Sequence, residues 1–579
     1  MARIRLDKDV EIPMRDGTVT RANVYRPDGD QPVPAILVRT PYSKDLFLAQ
    51  VMSLDPIRAV ESGMAVVFQD LRGRYASDGD LVMFQESEDG YDSVEWLAGQ
   101  SWCDGNVGMS GLSYLGLVQW AAAAQRPPGL RTIIPINIGT SNAFEQVCFT
   151  GGAFNLGYVL WLISQFFGPE TARRRALAGE TDAAEMLRVL KAGDDVASLA
   201  SYRPLSKIPL LQENPVADWY HDVVRDEALH DPDPEALRAH YAAVEIPALN
   251  VSGWYDYFLS GTLHNYAQMR AHGGSESARH AQRLLIGPWD HLLNSTSAEY
   301  DFGFAASTLA SDFTGYQLQH FARYLQGDEQ ALDEAPSVRI FVMGENVWRD
   351  EETWPLERSR PQPWYLRAGD PGAGGGLLSP EKPDATERPD HYLYDPADPA
   401  PTLGGPVGLP GLAQGINVGP YDQRPNEARP DVLVYTSEVL DEPLEVTGPL
   451  TAVLHAATSA PDTDWIVRLC DVHPDGASRI LAEGVVRARN RNGFGNTSPV
   501  ERGAVERYDI DLVATSNVFL EGHRIRVDIT SSSFPYIEPN PNTGHPLGQD
   551  GPEDLQPALQ SVFHDGDRLS HVVLPVVPR

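Results

Sequence analysis

Residues 106–124 pass without interruption from a short apolar run, Asn106-Val107-Gly108-Met109-Ser110, through Gly111-Leu112-Ser113-Tyr114-Leu115-Gly116 into a helical pattern that lasts to Ala124. A strand that turns at once into a helix around a serine is what a nucleophile elbow requires. The tight turn lifts the hydroxyl above a sheet edge, and the N–H of the next residue faces any oxyanion that forms there. Small residues at Gly111 and Gly116 let strand and helix approach. The general pattern G-x-S-x-G asks for glycine at 115, whereas this chain has Leu115 and places the glycine one residue later. A G-x-S triplet alone is a weak signal, since both residue types are common in turns. The strand–turn–helix setting carries the reading.

The surroundings fit that setting. Buried strands are expected at Ala35–Val38, Met64–Phe68, Asn106–Ser110 and Thr132–Ile136, with helical patterns between them around Tyr91, Val94 and Leu97 and from Tyr114 to Ala124. Such alternation implies a parallel sheet covered on both faces. Residues 146–245 change character: Glu170–Ala192 and Glu235–Ala243 are rich in Ala, Leu, Arg and Glu at helical spacing, without convincing strands. The α/β alternation then resumes with strands at Ala248–Ser252, Leu284–Ile286 and Val338–Met343 and helices after Phe258 and from Tyr316 to Gln326. From about residue 356 a Pro/Gly-rich stretch that includes Pro371–Gly376 leads into period-two segments. In one of them Ile525, Val527 and Ile529 alternate with Arg524, Arg526 and Asp528. The expected architecture is an α/β-hydrolase core (1–145 and 246–355), a helical cap insertion (146–245) and a C-terminal all-β jelly-roll domain (356–579).

Charge narrows the function classes. With 46 Lys plus Arg against 80 Asp plus Glu, the net charge is −34, which repels nucleic-acid backbones and anionic lipid. No apolar run approaches the roughly 18–20 residues that cross a bilayer. Met1–Asp9 alternates charge and lacks the apolar core of a secretory signal. Cys103, Cys148 and Cys470 are far apart and fit buried small hydrophobes better than a disulfide or metal framework. A cytoplasmic protein without nucleic-acid or membrane partners is the expectation.

A serine nucleophile needs a base and an orienting carboxylate, in this fold in the chain order Ser, Asp, His. Asp256 follows the strand Ala248–Ser252 in Gly253-Trp254-Tyr255-Asp256, and His291 follows the next strand in Gly287-Pro288-Trp289-Asp290-His291. Both therefore fall on the sheet edge that carries Ser113. Asp290, as the immediate neighbour of His291, is poorly placed to reach the far nitrogen of that ring. His264 and His320 lie within helical patterns. One oxyanion donor is the Tyr114 N–H. The second belongs on the loop after an early strand, here Arg39-Thr40-Pro41-Tyr42, where the Tyr42 hydroxyl and mere strand-end packing remain open.

The segments Arg39–Tyr42, Gln69–Gly73, Trp102–Met109, Ser113–Gly116, Gly253–Asp256 and Gly287–His291 resemble the cocaine esterase and X-Pro dipeptidyl-peptidase superfamily of acyl hydrolases. Gly419–Arg424 and Gly522–Val527 are similar to that family's jelly roll. The resemblance implies Ser113 as nucleophile, Asp256 as acid, His291 as base and Tyr42 as oxyanion donor. It also accounts for the shifted glycine at 116. Relatives that take α-amino esters carry a carboxylate soon after the triad aspartate, but here Tyr257 and Phe258 follow. The elbow also arrives by residue 113, without the large N-terminal helical domain of the lactic-acid-bacterial dipeptidyl-peptidases. Both departures favour an ester with an uncharged acyl group.

Phe258 matches an acyl-pocket phenylalanine of the cocaine-esterase branch, and Trp161, Phe166 and Phe167 are further candidate pocket walls beside the alternative of a helix core. The expected function is carboxylic ester hydrolysis on a small-molecule substrate through an acyl-enzyme, with no metal or organic cofactor. One alternative is an X-Pro peptidase or amidase, for which the insertion offers Glu170, Glu180, Asp182 and Glu185, although such acids on helices more often form a solvated face. Another is a catalytically silent chain that binds through its jelly roll. Jelly-roll edges often pair, so a homodimer is one expectation for the assembly.

Overall fold

The computed structural model describes residues 3–578 apart from 47–52, 84–85, 141–146, 183, 185–186, 189–190, 193, 195, 213–216, 226–233, 370–374, 385 and 408–416. Glu185 and Pro371–Gly374 thus lie outside the described residues. The first sheet has ten strands: β1 (Ile4–Pro13), β2 (Val19–Pro27), β3 (Val33–Thr40), β4 (Ala65–Asp70), β5 (Cys103–Leu112), β6 (Leu130–Ile136), β9 (Leu249–Gly253), β10 (Arg283–Gly287), β11 (Val338–Val342) and β12 (Val347–Glu351), with β7 (Phe149–Thr150) and β8 (Ala153–Phe154) forming a separate hairpin. Their order across the sheet is β1-β2-β4-β3-β5-β6-β9-β10-β11-β12.

The central strands from β4 to β11 pair in parallel, and β3, β4 and β6 are buried along nearly their whole length, as continuous apolar runs under helices on both faces must be. The edges differ from the sequence expectation of a purely parallel sheet. β1–β2, β2–β4 and β11–β12 are antiparallel. Most β1 residues are exposed or half-buried, so this edge lacks the apolar run by which the inner strands announce themselves.

The insertion is mainly helical, with Leu156–Trp161 continuing through a π-helical turn, Leu162–Phe167, into Gly168–Leu177, and with Pro234–Ala243 at its end. It is not strand-free. Gly151 and Gly152, both at positive φ, turn the short β7–β8 hairpin. Glu170 is also not on a solvated face. It is 3% exposed and accepts the Tyr75 N–H at 3.0 Å while pairing with Arg173 at 2.6 Å. Glu180 and Asp182 are exposed.

Eleven strands from β13 (Arg360–Arg367) to β23 (His571–Val577) make the second sheet, which contains β17 (Leu444–Thr458), β18 (Asp464–Val472), β19 (Ser478–Arg487), β20 (Glu506–Phe519) and β21 (Arg524–Thr530). β20 bonds to β17 yet also packs against β19 and β18, so the sheet folds over into two layers. In β21, Ile525, Val527 and Ile529 are buried as the alternation requires, but Asp528 is buried too. It sits near Arg468 and Arg526, with burial pushing its carboxyl up. The three cysteines are free and buried. No helix among the described residues is long and apolar enough to cross a membrane. Tyr255, on the loop after β9, donates its hydroxyl to the Ile480 carbonyl of β19 at 3.1 Å and so ties the two sheets together.

Candidate active site

Ligands in open parallel sheets collect at the carboxyl ends of the strands. Tyr42 comes two residues after β3, Ser113 directly after β5, Asp256 three residues after β9 and His291 four residues after β10. The fold therefore gathers at one edge the four side chains that the sequence singles out.

Ser113 has φ +62° and ψ −125°, a conformation L residues rarely hold. Its N–H donates to the Ile136 carbonyl at 2.8 Å, and its own carbonyl opens the helix Tyr114–Ala124 by accepting from Gly116 and Leu117. The displaced glycine has a steric reason. A Cβ at Gly111 would come within 2.4 Å of the Leu115 Cβ, and one at Gly116 within 3.0 Å of Ile138. Leu115 can occupy its position because Gly111, directly beneath it, has no side chain.

The His291 Nδ1 lies 2.8 Å from the Asp256 Oδ1, with both side chains buried. Asp256 Oδ2 accepts from the Ser252 hydroxyl at 3.1 Å, so both carboxylate oxygens are held. With Nδ1–H committed to Asp256, the ring presents Nε2 as its basic nitrogen. Asn137, at the end of β6, steadies the His291 loop by donating to the carbonyls of Asp290 and His291 at 3.2 and 2.8 Å. Asp290 folds that loop instead of serving the ring: it accepts the N–H groups of Leu292 and Asn294 at 2.8 and 2.9 Å. His320 is bonded to Thr132 at 2.7 Å within the core and His264 lies on the helix Leu259–His272.

Tyr42 is buried and its hydroxyl shares a hydrogen bond with Ser113. Burial pushes the phenol well above its ordinary value, which keeps it protonated as a donor; the Ser113 bond and the nearby Arg74 charge pull the other way. The loop beneath it is pinned. Lys44 N–H and Ala76 N–H both donate to Asp70, at 2.6 and 3.2 Å, and the buried Lys44 ammonium pairs with Asp9 and Asp45 at 2.6 Å each. Tyr114, whose N–H begins the helix after Ser113, donates its hydroxyl to the buried Glu86 carboxylate. The Glu86 carbonyl accepts from Arg39 at 3.1 Å.

Aromatic rings pack beside these groups. Tyr257 and Phe258 lie 5.2 and 5.8 Å from the His291 ring. Tyr158 contacts Tyr257 at 4.5 Å and stacks on Trp161. Trp161 meets Phe166 at 4.4 Å, and Phe166 meets Tyr42 at 4.9 Å. The rings form a continuous path from His291 to the Tyr42 ring. Of the residues around the site, Phe258, Trp161, Phe166 and Phe167 are candidate walls in the sequence, whereas Tyr158, Ser252, Asn137 and Glu86 are not singled out there. Tyr257 is read in the sequence only as the residue that follows Asp256, and its place in the ring path comes from the structure. The others act through contacts distant in sequence. A cavity of about 600 Å³ reaches Asp256 and runs between Trp254, Tyr257, Phe149, Glu483 and Leu512.

Two groups of metal-ligand side chains occur among the described residues, Asp471 with His473 and His523, and Glu427 with Cys470 and Asp528. Both lie on or beside strands of the C-terminal sheet and are bonded internally, His523 Nδ1 to Asp471 at 2.8 Å and Cys470 to Asp528 at 3.9 Å. The first group lines a small cavity with Tyr255, on the loop that carries Asp256.

Burial pushes the Asp70 carboxyl up to about 6. An aspartate in the unfolded chain titrates near about 3.9, so the contribution of Asp70 to stability is fully present below about pH 4 and is lost as the pH rises through about 6. In urea melts, the stability of the wild type relative to Asp70→Asn is therefore expected to be greater at pH 4 than at pH 7.5. An unchanged difference would show that Asp70 titrates alike in both states.

The pattern of the family described as X-Pro dipeptidyl-peptidase (S15 family) matches residues 16–293, and that of the X-Pro dipeptidyl-peptidase C-terminal non-catalytic domain matches residues 330–573. The cocaine esterase of Rhodococcus sp. (strain MB1 Bresler) is 39% identical over 99% of this chain and 98% of its own. Among solved structures, an α-amino acid ester hydrolase superposes with a TM-score of 0.80 at 28% identity, over 99% of this chain and 96% of the other. An aminopeptidase from a marine sediment Thaumarchaeota archaeon shares the fold, with a TM-score of 0.80 at 24% identity over 100% and 96% of the two chains. The chain belongs to the cocaine esterase and X-Pro dipeptidyl-peptidase superfamily of serine hydrolases, on its cocaine-esterase-like branch.

Proposed function

We propose that the protein is a serine carboxylesterase that cleaves small-molecule esters with uncharged acyl groups. Ser113 Oγ attacks the acyl carbonyl carbon and His291 Nε2 takes its proton. Asp256 holds the ring in the competent tautomer and stabilises the imidazolium. The Tyr42 hydroxyl and the Tyr114 N–H, at the positive end of its helix, hold the oxyanion. Collapse of the tetrahedral intermediate breaks the C–O bond, and the imidazolium returns its proton to the departing alcohol. Water then attacks the acyl-enzyme with His291 as base and releases the acid and free Ser113. On this reading residues 1–145 and 246–355 are the catalytic domain, 146–245 the cap and 356–579 the jelly roll.

The observation that carries the reading is the hydrogen-bonded Asp256–His291 pair, which shares one sheet edge with the strained Ser113 and its Tyr42 partner. The substrate class follows from the wall. A peptidase that holds a free ammonium needs carboxylates facing its pocket, whereas the residues that flank His291 are Tyr257 and Phe258. Glu170, the buried acid of the cap, is occupied by Tyr75 and Arg173.

The test compares p-nitrophenyl acetate, butyrate and benzoate with alanyl-prolyl-p-nitroanilide. Rapid hydrolysis of the esters with the anilide untouched is expected; efficient anilide cleavage would move the protein to the dipeptidyl-peptidase branch. Tyr42→Phe is expected to lower kcat about 100- to 1,000-fold with little change in KM, because the lost bond forms chiefly in the transition state. A loss below about threefold would leave Tyr42 a packing residue.

A further inference from the structure

Arg74 lies in the loop after β4 and is 1% exposed. No ion pair to it forms among the described residues. Its guanidinium instead donates to three backbone carbonyls: Nε to Pro41 at 2.9 Å, Nη2 to Phe166 at 2.9 Å and Nη1 to Phe167 at 3.3 Å. It also lies 5.5 Å from the centre of the Phe167 ring and 5.4 Å from that of Tyr75. Burying a cation is costly, and burial pulls this guanidinium below its ordinary value, while Tyr75, which shares a hydrogen bond with it, and the nearby Glu170 charge pull the other way. What it joins is specific. Pro41 immediately precedes Tyr42, while Phe166 and Phe167 close the π-helical turn of the cap and pack on Tyr42 at 4.9 and 6.4 Å. Phe167 also lies 5.7 Å from Tyr114. A second link runs beside it, since the neighbouring Tyr75 N–H is held by Glu170 of the cap.

We infer that Arg74 is a positioning residue for the Tyr42 hydroxyl, locking the oxyanion loop to the π-helical turn of the cap so that the pocket wall and the oxyanion donor are placed as one unit. Its fork spans three carbonyls in a way that a lysine ammonium, with its donors on one atom, cannot. Its charge also lies close enough to Tyr42 to ease partial proton donation to an oxyanion. The inference rests on Tyr42 being the oxyanion donor, and a double-variant cycle separates the two.

The cycle reads kcat and KM on p-nitrophenyl acetate for wild type, Arg74→Met, Tyr42→Phe and the double variant. Should Arg74→Met fail to fold, the same cycle is read with Arg74→Lys. Arg74→Met is expected to lower kcat about 30-fold and to move KM less than about threefold, and Arg74→Lys to recover part of the loss. Combined with Tyr42→Phe, either Arg74 substitution is expected to lower kcat by less than about twofold further, because the donor it places is gone. Equal losses with and without Tyr42→Phe, or a loss confined to KM, would overturn the inference while leaving the oxyanion assignment standing. An inert Tyr42→Phe would remove that assignment and the inference with it.

Discussion

Ser113→Ala is expected to lower kcat on p-nitrophenyl acetate by about 10⁶-fold. No other described group is placed to form the acyl-enzyme, and what survives is the weak catalysis by an oxyanion site that polarises a bound ester for attack by water. The fold should be indifferent to the change. The positive φ of Ser113 is imposed by the Gly111 turn below it and the helix Tyr114–Ala124 above it, and alanine meets the same constraint as serine there. The melting temperature should move by no more than a few degrees, in line with the loss of one hydrogen bond to Tyr42. Turnover retained in a preparation free of contaminating esterases would remove Ser113 as the nucleophile.

Asp256→Asn is expected to cost about 10⁴-fold in kcat with KM nearly constant. The carboxylate is held on both oxygens, by His291 and by Ser252, so an asparagine keeps the volume and the geometry. With Ser252 donating to its oxygen, however, its NH₂ faces the imidazole and favours the tautomer that carries hydrogen on Nε2. That nitrogen then has no lone pair for the Ser113 proton. Asp290→Asn provides the contrast: its bonds go to Leu292 and Asn294 within the loop, so its loss should loosen the base without reversing the tautomer. A drop for Asp290→Asn as deep as that for Asp256→Asn would mean that the orienting carboxylate has been misassigned.

The gathering of Ser113, Asp256 and His291 at one sheet edge was legible in the sequence because the position of each depends on its own neighbourhood. The elbow writes its steric needs into Gly111 and Gly116, and the other two fall within four residues of a strand end on an edge that the α/β alternation already defines. Leu115 fits because Gly111 has no side chain, and Gly116 leaves room for Ile138, contacts visible only once the turn is built. What stayed illegible depends on distant partners. Glu170 looks like a solvated helix acid until the loop at Tyr75, 95 residues earlier, is folded against it. Asp528 fits the polar face of an alternating strand until β21 is enclosed near Arg468 and Arg526. Arg74 joins Pro41 and Phe166 across gaps of 33 and 92 residues, with no local pattern to announce it. The antiparallel edges were missed for the opposite reason, since half-exposed strands carry little apolar signal.

The most direct measurement is intact and peptide mass spectrometry after treatment with a fluorophosphonate ester. The expected result is one phosphonyl group per chain, located on Ser113, with labelling and p-nitrophenyl acetate hydrolysis lost in parallel and no addition to Ser113→Ala. Labelling at another residue, or esterase activity that survives complete modification of Ser113, would contradict the assignment of the elbow serine as the nucleophile.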